Sequence, residues 1–304
     1  MLNMGRRVTI AGHGAVGVTL GGELLSRGFE VRYLGRSGPT AVEARLDLNR
    51  GTVHVNTVAP DAEWLKDTDV VLIAVKAYDL EVALKQALAL TSSNASVIPI
   101  SNGATWNMVR QEAKVHPGRR MRLGFCTFGV TEMGDQHFEV KSRVGELSFG
   151  PLDPSDRMTT TEGRLVEPPA FFVWHANIQK LQVRKWLYNV VINSLTAGRS
   201  LQRNGDLMHD LPTLTAVFNE ACSLATELWG PLPLERSALF AGLEQLIERT
   251  SENENSMARD QRLLRRTESD YLAGLAQDQS KYPLLSDLHL VITRDLISGQ
   301  SART

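Results

Sequence analysis

Three polar residues lie inside an otherwise apolar stretch of this 304-residue chain. Lys185, Asn189 and Asn193 recur at i, i+4 and i+8, among Trp186, Leu187, Val190, Val191, Ile192 and Leu195. On a helix each such step drifts by about 40°, so all three share one face. Buried without partners they would be costly. Either they line a wet cavity or they satisfy backbone groups at a domain junction. In a cavity, a partly desolvated lysine can donate a proton to a developing alkoxide. A second candidate is the loop Gly12-His13-Gly14-Ala15-Val16-Gly17, which fits G-x-G-x-x-G. Between a strand and a helix, the first glycine allows a tight turn and the second admits a pyrophosphate. The third lets the helix pack closely, its N-terminus facing the phosphates. The competing reading is a purely structural turn.

A dinucleotide site for NAD places an acid about 20 residues on, at the tip of the second strand. Here that strand ends Tyr33-Leu34-Gly35-Arg36-Ser37, with Arg36 where the carboxylate would be and Glu30 too early to serve. An arginine fork suits the 2′-phosphate of NADP; otherwise Arg36 is simply solvated. Lys76 follows the apolar run Val70–Val75, and Asn102-Gly103 follows Ser96–Ile100. Both therefore sit at carboxyl ends of expected parallel strands, where open α/β sheets bind ligands. Asn253 and Ser256 are three apart, as on a helical face; the plainer reading of Ser251–Asp260 is a capped helix start with a solvated charged face.

The elements that must position these residues change character along the chain. Short apolar strands at Val8–Ala11, Phe29–Leu34, Val70–Val75 and Ser96–Ile100 alternate with helices at Ala15–Arg27 and Asp79–Leu90. This alternation argues a doubly wound α/β sheet. Further strands are expected at Met121–Val130 and Glu139–Phe149, a short helix near Thr159–Leu165 and a last strand after Pro168-Pro169. Beyond about residue 176 helices are expected over Ile178–Ala197, Leu211–Leu228, Arg236–Ser251, Ser256–Gln277 and Leu284–Ile297. The tail Ser298–Thr304 is small and polar and is expected to fray. The reading is an α/β domain over residues 1–175 followed by an all-α domain over 176–304.

Composition narrows the function classes. Thirty-three Lys+Arg against 34 Asp+Glu give a net charge of −1, with no field to attract a polyanion. Arg119-Arg120 and Arg122 read as a short solvated basic loop, too small for nucleic acid. Two cysteines, 126 and 222, suit a reducing compartment. The apolar run near the N-terminus is only Val8–Ala11, where a secretory signal needs roughly 7–15 residues. No run approaches the roughly 20 apolar residues of a membrane span. A cytoplasmic location without membrane association is expected. The seven histidines show no metal-ligand spacing, so no metal is expected. The apolar helices of the second half could pair two subunits as a homodimer.

Together these pieces resemble the ketopantoate reductase (2-dehydropantoate 2-reductase) family over nearly the whole chain. The carrying residues are the Gly12–Gly17 loop, Val75-Lys76-Ala77, Asn102-Gly103, the string Arg184–Ala197, Ser256-Met257 and Thr267-Glu268-Ser269-Asp270-Tyr271. The Lys-x-x-x-Asn-x-x-x-Asn-x-Leu-Thr-Ala string is far more specific than the glycine loop. The resemblance implies a Rossmann-type domain followed by a helical domain like the C-terminal one of 6-phosphogluconate dehydrogenase. It implies an oxidoreductase acting on a CH–OH group with NADP(H), and a 2-oxo acid substrate. Lys185 would polarise the ketone and donate the proton, with Glu268 as its acidic partner. Asn189, Asn193, Asn253 and Ser256 would contact substrate, and Lys76 and Asn102 would bridge cofactor and substrate. Arg36 would select NADP. Two departures bear on the substrate: Ser194 stands where the family usually has proline, and Thr131–Gly145 is more charged and less glycine-rich than its counterpart. A hydroxyacid or opine-type dehydrogenase with another substrate is the alternative, and a non-catalytic NADP sensor is a third reading.

Overall fold

The structure is a computed structural model that describes residues 6–48, 51–140, 145–168 and 171–301, with side chains through 294. The chain divides into two compact units, Met1–Ser101 with Thr105–Gln179, and Asn102–Ala104 with Lys180–Thr304.

In the first unit the short β-branched runs become strands because they are buried on both faces. In chain order the elements are β1 (Arg7–Ala11), α1 (Ala15–Ser26), β2 (Glu30–Gly35), β3 (Gly38–Thr40), β4 (Val42–Leu48), β5 (Gly51–Thr57), α2 (Ala62–Lys66), β6 (Val70–Ile73), α3 (Leu80–Leu90), β7 (Ser96–Pro99) and α4 (Trp106–Val115). They continue with β8 (Arg120–Cys126), β9 (Val130–Gly134), β10 (His137–Val140), β11 (Leu147–Pro151), α5 (Thr160–Leu165) and β12 (Phe172–Trp174). The main sheet runs β12-β11-β8-β7-β6-β1-β2-β3. Its centre, β8 to β2, is parallel; β3 and β11 are antiparallel to their neighbours β2 and β8.

A second sheet, β5-β4-β10-β9, was not expected from the sequence. Its signal was nevertheless present, because Val42–Leu48 alternates apolar and polar, with Val42, Ala44 and Leu46 buried. This sheet packs on α1, where a Cβ at Gly22 would stand 2.5 Å from a Leu46 methyl. The helices α2 and α4 were likewise unread. Of the Thr131–Gly145 segment, residues 141–144 lie outside the described residues, as does Pro169.

The basic loop read at residues 119–122 is corrected: Arg122 lies on β8 and is 2% exposed. Its guanidinium holds the Glu162 carboxylate through two bonds, Nε–Oε1 at 2.6 Å and Nη2–Oε2 at 3.1 Å. Glu162 also closes a capping box with Thr159 at the start of α5. Arg119 is tied to the carbonyls of Thr91 and Ser92. The pattern of three arginines hid the fact that the middle of β8 is interior.

The second unit is built from α6 (Ile178–Gly198), α7 (Leu211–Trp229), α8 (Arg236–Arg249), α9 (Ser256–Arg262) and α10 (Pro283–Ser301). Leu239, Leu243 and Ile247 of α8 are fully buried at helical spacing. Phe218 of α7 meets Phe240 of α8 edge-on at 5.1 Å. Two expectations need correction. The helix continues to Ser301 instead of ending at Ile297, while 302–304 lie outside the described residues. The helix expected over Ser256–Gln277 ends at Arg262. There Leu264 takes a left-handed conformation, φ 56°. Leu264 N–H bonds Gln261 O at 2.9 Å and Arg265 N–H bonds Asp260 O at 2.7 Å. This is the two-bond helix stop usually made with glycine, and short 3-10 turns at Ser269–Tyr271 and Ala273–Leu275 follow.

Candidate active site

In the first unit the chain leaves β1 toward β2 on one side, and β6 pairs on the other. The ends of β1 and β6 therefore flank a switch point, the usual ligand crevice of an open α/β sheet. Gly12 follows β1 with φ 98°, and a Cβ there would stand 2.6 Å from the Ala74 carbonyl oxygen. A Cβ at Gly17 would fall 2.0 Å from the Gly12 carbonyl oxygen, so the turn closes only with glycine at both places. A Cβ at Gly14, by contrast, meets nothing within 4 Å. Gly14 is the N-cap of α1, which has no side-chain cap and no acid in its first turn. The group that fits is an anion approaching backbone N–H groups at the helix start. His13 beside it is exposed.

Lys76 sits just past β6 and opens the 3-10 turn Ala77–Asp79. Arg36 occupies the turn between β2 and β3, its side chain 84% exposed. Its Nη2 donates to Asp79 Oδ2 at 3.0 Å. The guanidinium is thus held near the β2 tip by a carboxylate, a pairing the sequence did not suggest.

In the second unit, three expected residues form one chain of hydrogen bonds. Lys185 Nζ donates to Asn102 Oδ1 at 3.0 Å. Asn102 Nδ2 donates to Glu268 Oε2 at 3.4 Å. The amide accepts from the ammonium and donates to the carboxylate, which fixes its orientation. Glu268 is 5% exposed, so a buried carboxylate and a half-buried ammonium are linked through a neutral group. Ammonium, amide and carboxylate in series can hold a proton donor in place while keeping its charge.

The other expected residues are placed differently. Asn189 is half-buried and Asn193 buried, on the Lys185 face of α6. Asn253 and Ser256 are both exposed. The helical face expected to join them is absent, because α9 begins only at Ser256 and Asn253 lies in the preceding turn. The cap of α9 is Asn255, which sequence reasoning passed over. Its Oδ1 accepts from Met257 N and Ala258 N at 3.1 and 3.0 Å, and its Nδ2 donates to Asn204 Oδ1 at 3.1 Å. Also unread was the Tyr271 carbonyl, which accepts from Trp186 Nε1 and from Ala104 N, each at 3.1 Å. No residue-type signal marks a backbone acceptor.

Comparisons with known proteins agree along the chain. The family model "Ketopantoate reductase PanE/ApbA" matches residues 8–154, and its C-terminal counterpart matches 177–278. The 2-dehydropantoate 2-reductase of Salmonella typhimurium is 25% identical over 277 residues, covering 88% of this chain and 86% of that protein. That of Halobacterium salinarum is 28% identical over 294 residues, covering 90% and 92%. Among solved structures, a PanE/ApbA family ketopantoate reductase from Ralstonia eutropha JMP134 superposes with a TM-score of 0.78 at 20% identity, covering 97% of this chain and 99% of that one. D-mandelate dehydrogenase, solved with NADH and anilino(oxo)acetate, reaches 0.76 at 19%, covering 96% and 99%. With both family models matched and the expected α/β-then-helical architecture in place, the chain belongs to the ketopantoate reductase family.

Proposed function

We propose that the protein reduces a 2-oxo acid with NADPH, and that the acid is 2-dehydropantoate. The observation that carries this reading is the Lys185–Asn102–Glu268 chain. A ketone becoming an alkoxide needs a cation that binds the oxygen and then gives up a proton. Lys185 is the proton donor to that oxygen, and Asn102 and Glu268 hold its ammonium. Asn189, Asn193, Asn253 and Ser256 are the substrate contacts, Ser256 toward the carboxylate. The nicotinamide, when bound, supplies the hydride to the C2 carbon. Residues 1–175 form the cofactor-binding domain, with Gly12, His13, Gly14, Ala15, Val16 and Gly17 around the pyrophosphate. Lys76 and Asn102 stand between cofactor and substrate. Residues 176–304 carry the substrate site and a homodimer contact. Arg36 selects NADP through the 2′-phosphate, exchanging Asp79 for phosphate oxygens. The names of the curated relatives support the substrate. Among the described residues no helix is long and apolar enough to cross a membrane. The location proposed with this reaction is the cytoplasm.

The test is a panel of 2-oxo acids followed by NADPH absorbance. Lys185→Ala is expected to lower kcat by about 10²–10⁴-fold while NADPH still binds. Near-normal turnover at saturating substrate removes the lysine from the mechanism. Arg36→Ala is expected to weaken NADPH far more than NADH, and equal loss for both defeats the 2′-phosphate assignment. A second reading is favoured by the likeness to D-mandelate dehydrogenase, solved with NADH: a related hydroxyacid dehydrogenase with another substrate. It wins if an aromatic 2-oxo acid turns over faster than 2-dehydropantoate.

A further inference from the structure

The three residues of the hydrogen-bonded chain come from three separate pieces of the second unit: α6, the segment Asn102–Ala104 and the turn at Glu268. Long polar side chains do not by themselves hold three such pieces in register, since ordering each costs conformational entropy. One backbone oxygen, on the Glu268 turn, accepts from the other two pieces. The Tyr271 carbonyl accepts from Trp186 Nε1 on α6, at 3.1 Å, and Trp186 is the neighbour of Lys185. It also accepts from Ala104 N at 3.1 Å, two residues from Asn102. Tyr271 N in turn donates to Glu268 O at 3.0 Å. Gly103, with φ 81°, presses against the same residue, and a Cβ there would stand 2.6 Å from Tyr271 Cβ.

The indole that reaches this oxygen is buried. Trp186 is 2% exposed and meets Trp229 of α7 edge-on, ring centroids 4.6 Å apart. A buried N–H of this kind requires an acceptor. Behind Tyr271, Ser269 Oγ and His289 Nδ1 lie 2.8 Å apart, tying the turn to α10.

We propose that Trp186 is a positioning residue: its indole N–H, through the Tyr271 carbonyl, sets the separation of Lys185, Asn102 and Glu268. This rests on Lys185 being the proton donor, but it makes a separate claim about what holds Lys185 in place. Trp186 is buried and its N–H is taken up by the Tyr271 carbonyl, so it acts by fixing where α6 stands against the Glu268 turn. A position error there enters the rate because a proton donor displaced by a fraction of an ångström loses its alignment.

The experiment compares Trp186→Phe, which keeps an aromatic ring and removes the N–H, with Trp229→Phe, which disturbs the packing and leaves the Trp186 N–H in place. Trp186→Phe is expected to lower kcat about tenfold, with KM for NADPH within about twofold of the original. The titration of Lys185, followed by NMR of ¹³Cε-labelled lysine and assigned with Lys185→Arg, is expected to move downward as the acceptor shifts away. Trp229→Phe is expected to lower Tm and leave kcat and the titration in place. Gly103→Ala displaces the same carbonyl from the other side and is expected to reproduce the loss. The double variant with Trp186→Phe should lose less than the product of the two. The proposal is overturned if Trp186→Phe, or Gly103→Ala where the former does not fold, leaves both kcat and the Lys185 titration unchanged. It is equally overturned if Trp229→Phe reproduces both losses. If the unaltered protein oxidises no NADPH with any 2-oxo acid, the proposed function fails, and the Lys185 titration still decides the positioning claim.

Discussion

Replacing Asn102 separates the lysine from the carboxylate without removing either. In Asn102→Ala two hydrogen bonds are lost, one from the Lys185 ammonium at 3.0 Å and one to the Glu268 carboxylate at 3.4 Å. A bond to a charged group contributes about 1.5–3 kcal/mol, and the longer one lies at the lower end. If together they contribute about 3 kcal/mol to holding the donor in the transition state, kcat falls about 100-fold. Asn102→Asp separates charge from placement. The new carboxylate faces Glu268 at 3.4 Å and Lys185 at 3.0 Å. At an effective dielectric of about 20 these give about 5 kcal/mol of repulsion and about 5.5 kcal/mol of attraction. The two nearly cancel, so the lysine offsets the repulsion between the carboxylates, and the charge that the aspartate adds faces the lysine. An ammonium beside an added carboxylate holds its proton more tightly. The basic limb of the pH–rate profile should therefore move upward in Asn102→Asp and not in Asn102→Ala, while both lose turnover. The assay is the pH dependence of kcat by NADPH absorbance, with cofactor affinity measured separately. A kcat within threefold of the original in Asn102→Ala refutes the relay, and identical pH profiles for the two variants refute the charge argument.

Two further expectations concern stability. Burial by itself would raise the Glu162 carboxyl, but hydrogen bonds from Arg122 and Thr159 outweigh it and hold the group below its ordinary range. A depressed carboxylate contributes stability above its unfolded value of about 4.3, lost as pH falls through the lower folded value. Glu162→Gln places an amide N–H against donors and leaves Arg122 with Asp156 Oδ2 at 3.2 Å and the Arg157 carbonyl at 3.1 Å, so it should destabilise the first unit by about 1–3 kcal/mol at neutral pH. Urea midpoints across pH check this, and the gap between the two proteins should narrow toward acid. Ser194 Oγ is fully buried and has no hydrogen-bond partner among the described residues. Ser194→Ala should raise stability by about 1 kcal/mol, since the hydroxyl gives up water for nothing; an unchanged or lower Tm by calorimetry would show that it finds a partner.

The sequence determined the parts whose signal is local. The glycine loop was legible because Gly12 and Gly17 stand where any Cβ would strike backbone, and a steric demand on one position shows in residue type. The α6 face was legible because helical period fixes which residues share a side, and Lys185, Asn189 and Asn193 stand out against an apolar run. The β4–β5 hairpin was legible in principle through its period-two pattern and was passed over. Tertiary structure alone decided the rest. Arg122 looks no different in sequence from Arg119 and Arg120 until β8 is placed inside a sheet and Glu162 arrives from 40 positions away. The end of α9 at Arg262 depends on Leu264 adopting φ 56°, a strain of about 1–2 kcal/mol that no propensity scale assigns to leucine. Asn102, Lys185 and Glu268 span 166 positions of sequence, and their spacing is set by a backbone carbonyl at Tyr271. Each residue carries its chemistry in its type, but a distance between residues far apart in the chain is set by packing, which the one-dimensional pattern does not contain.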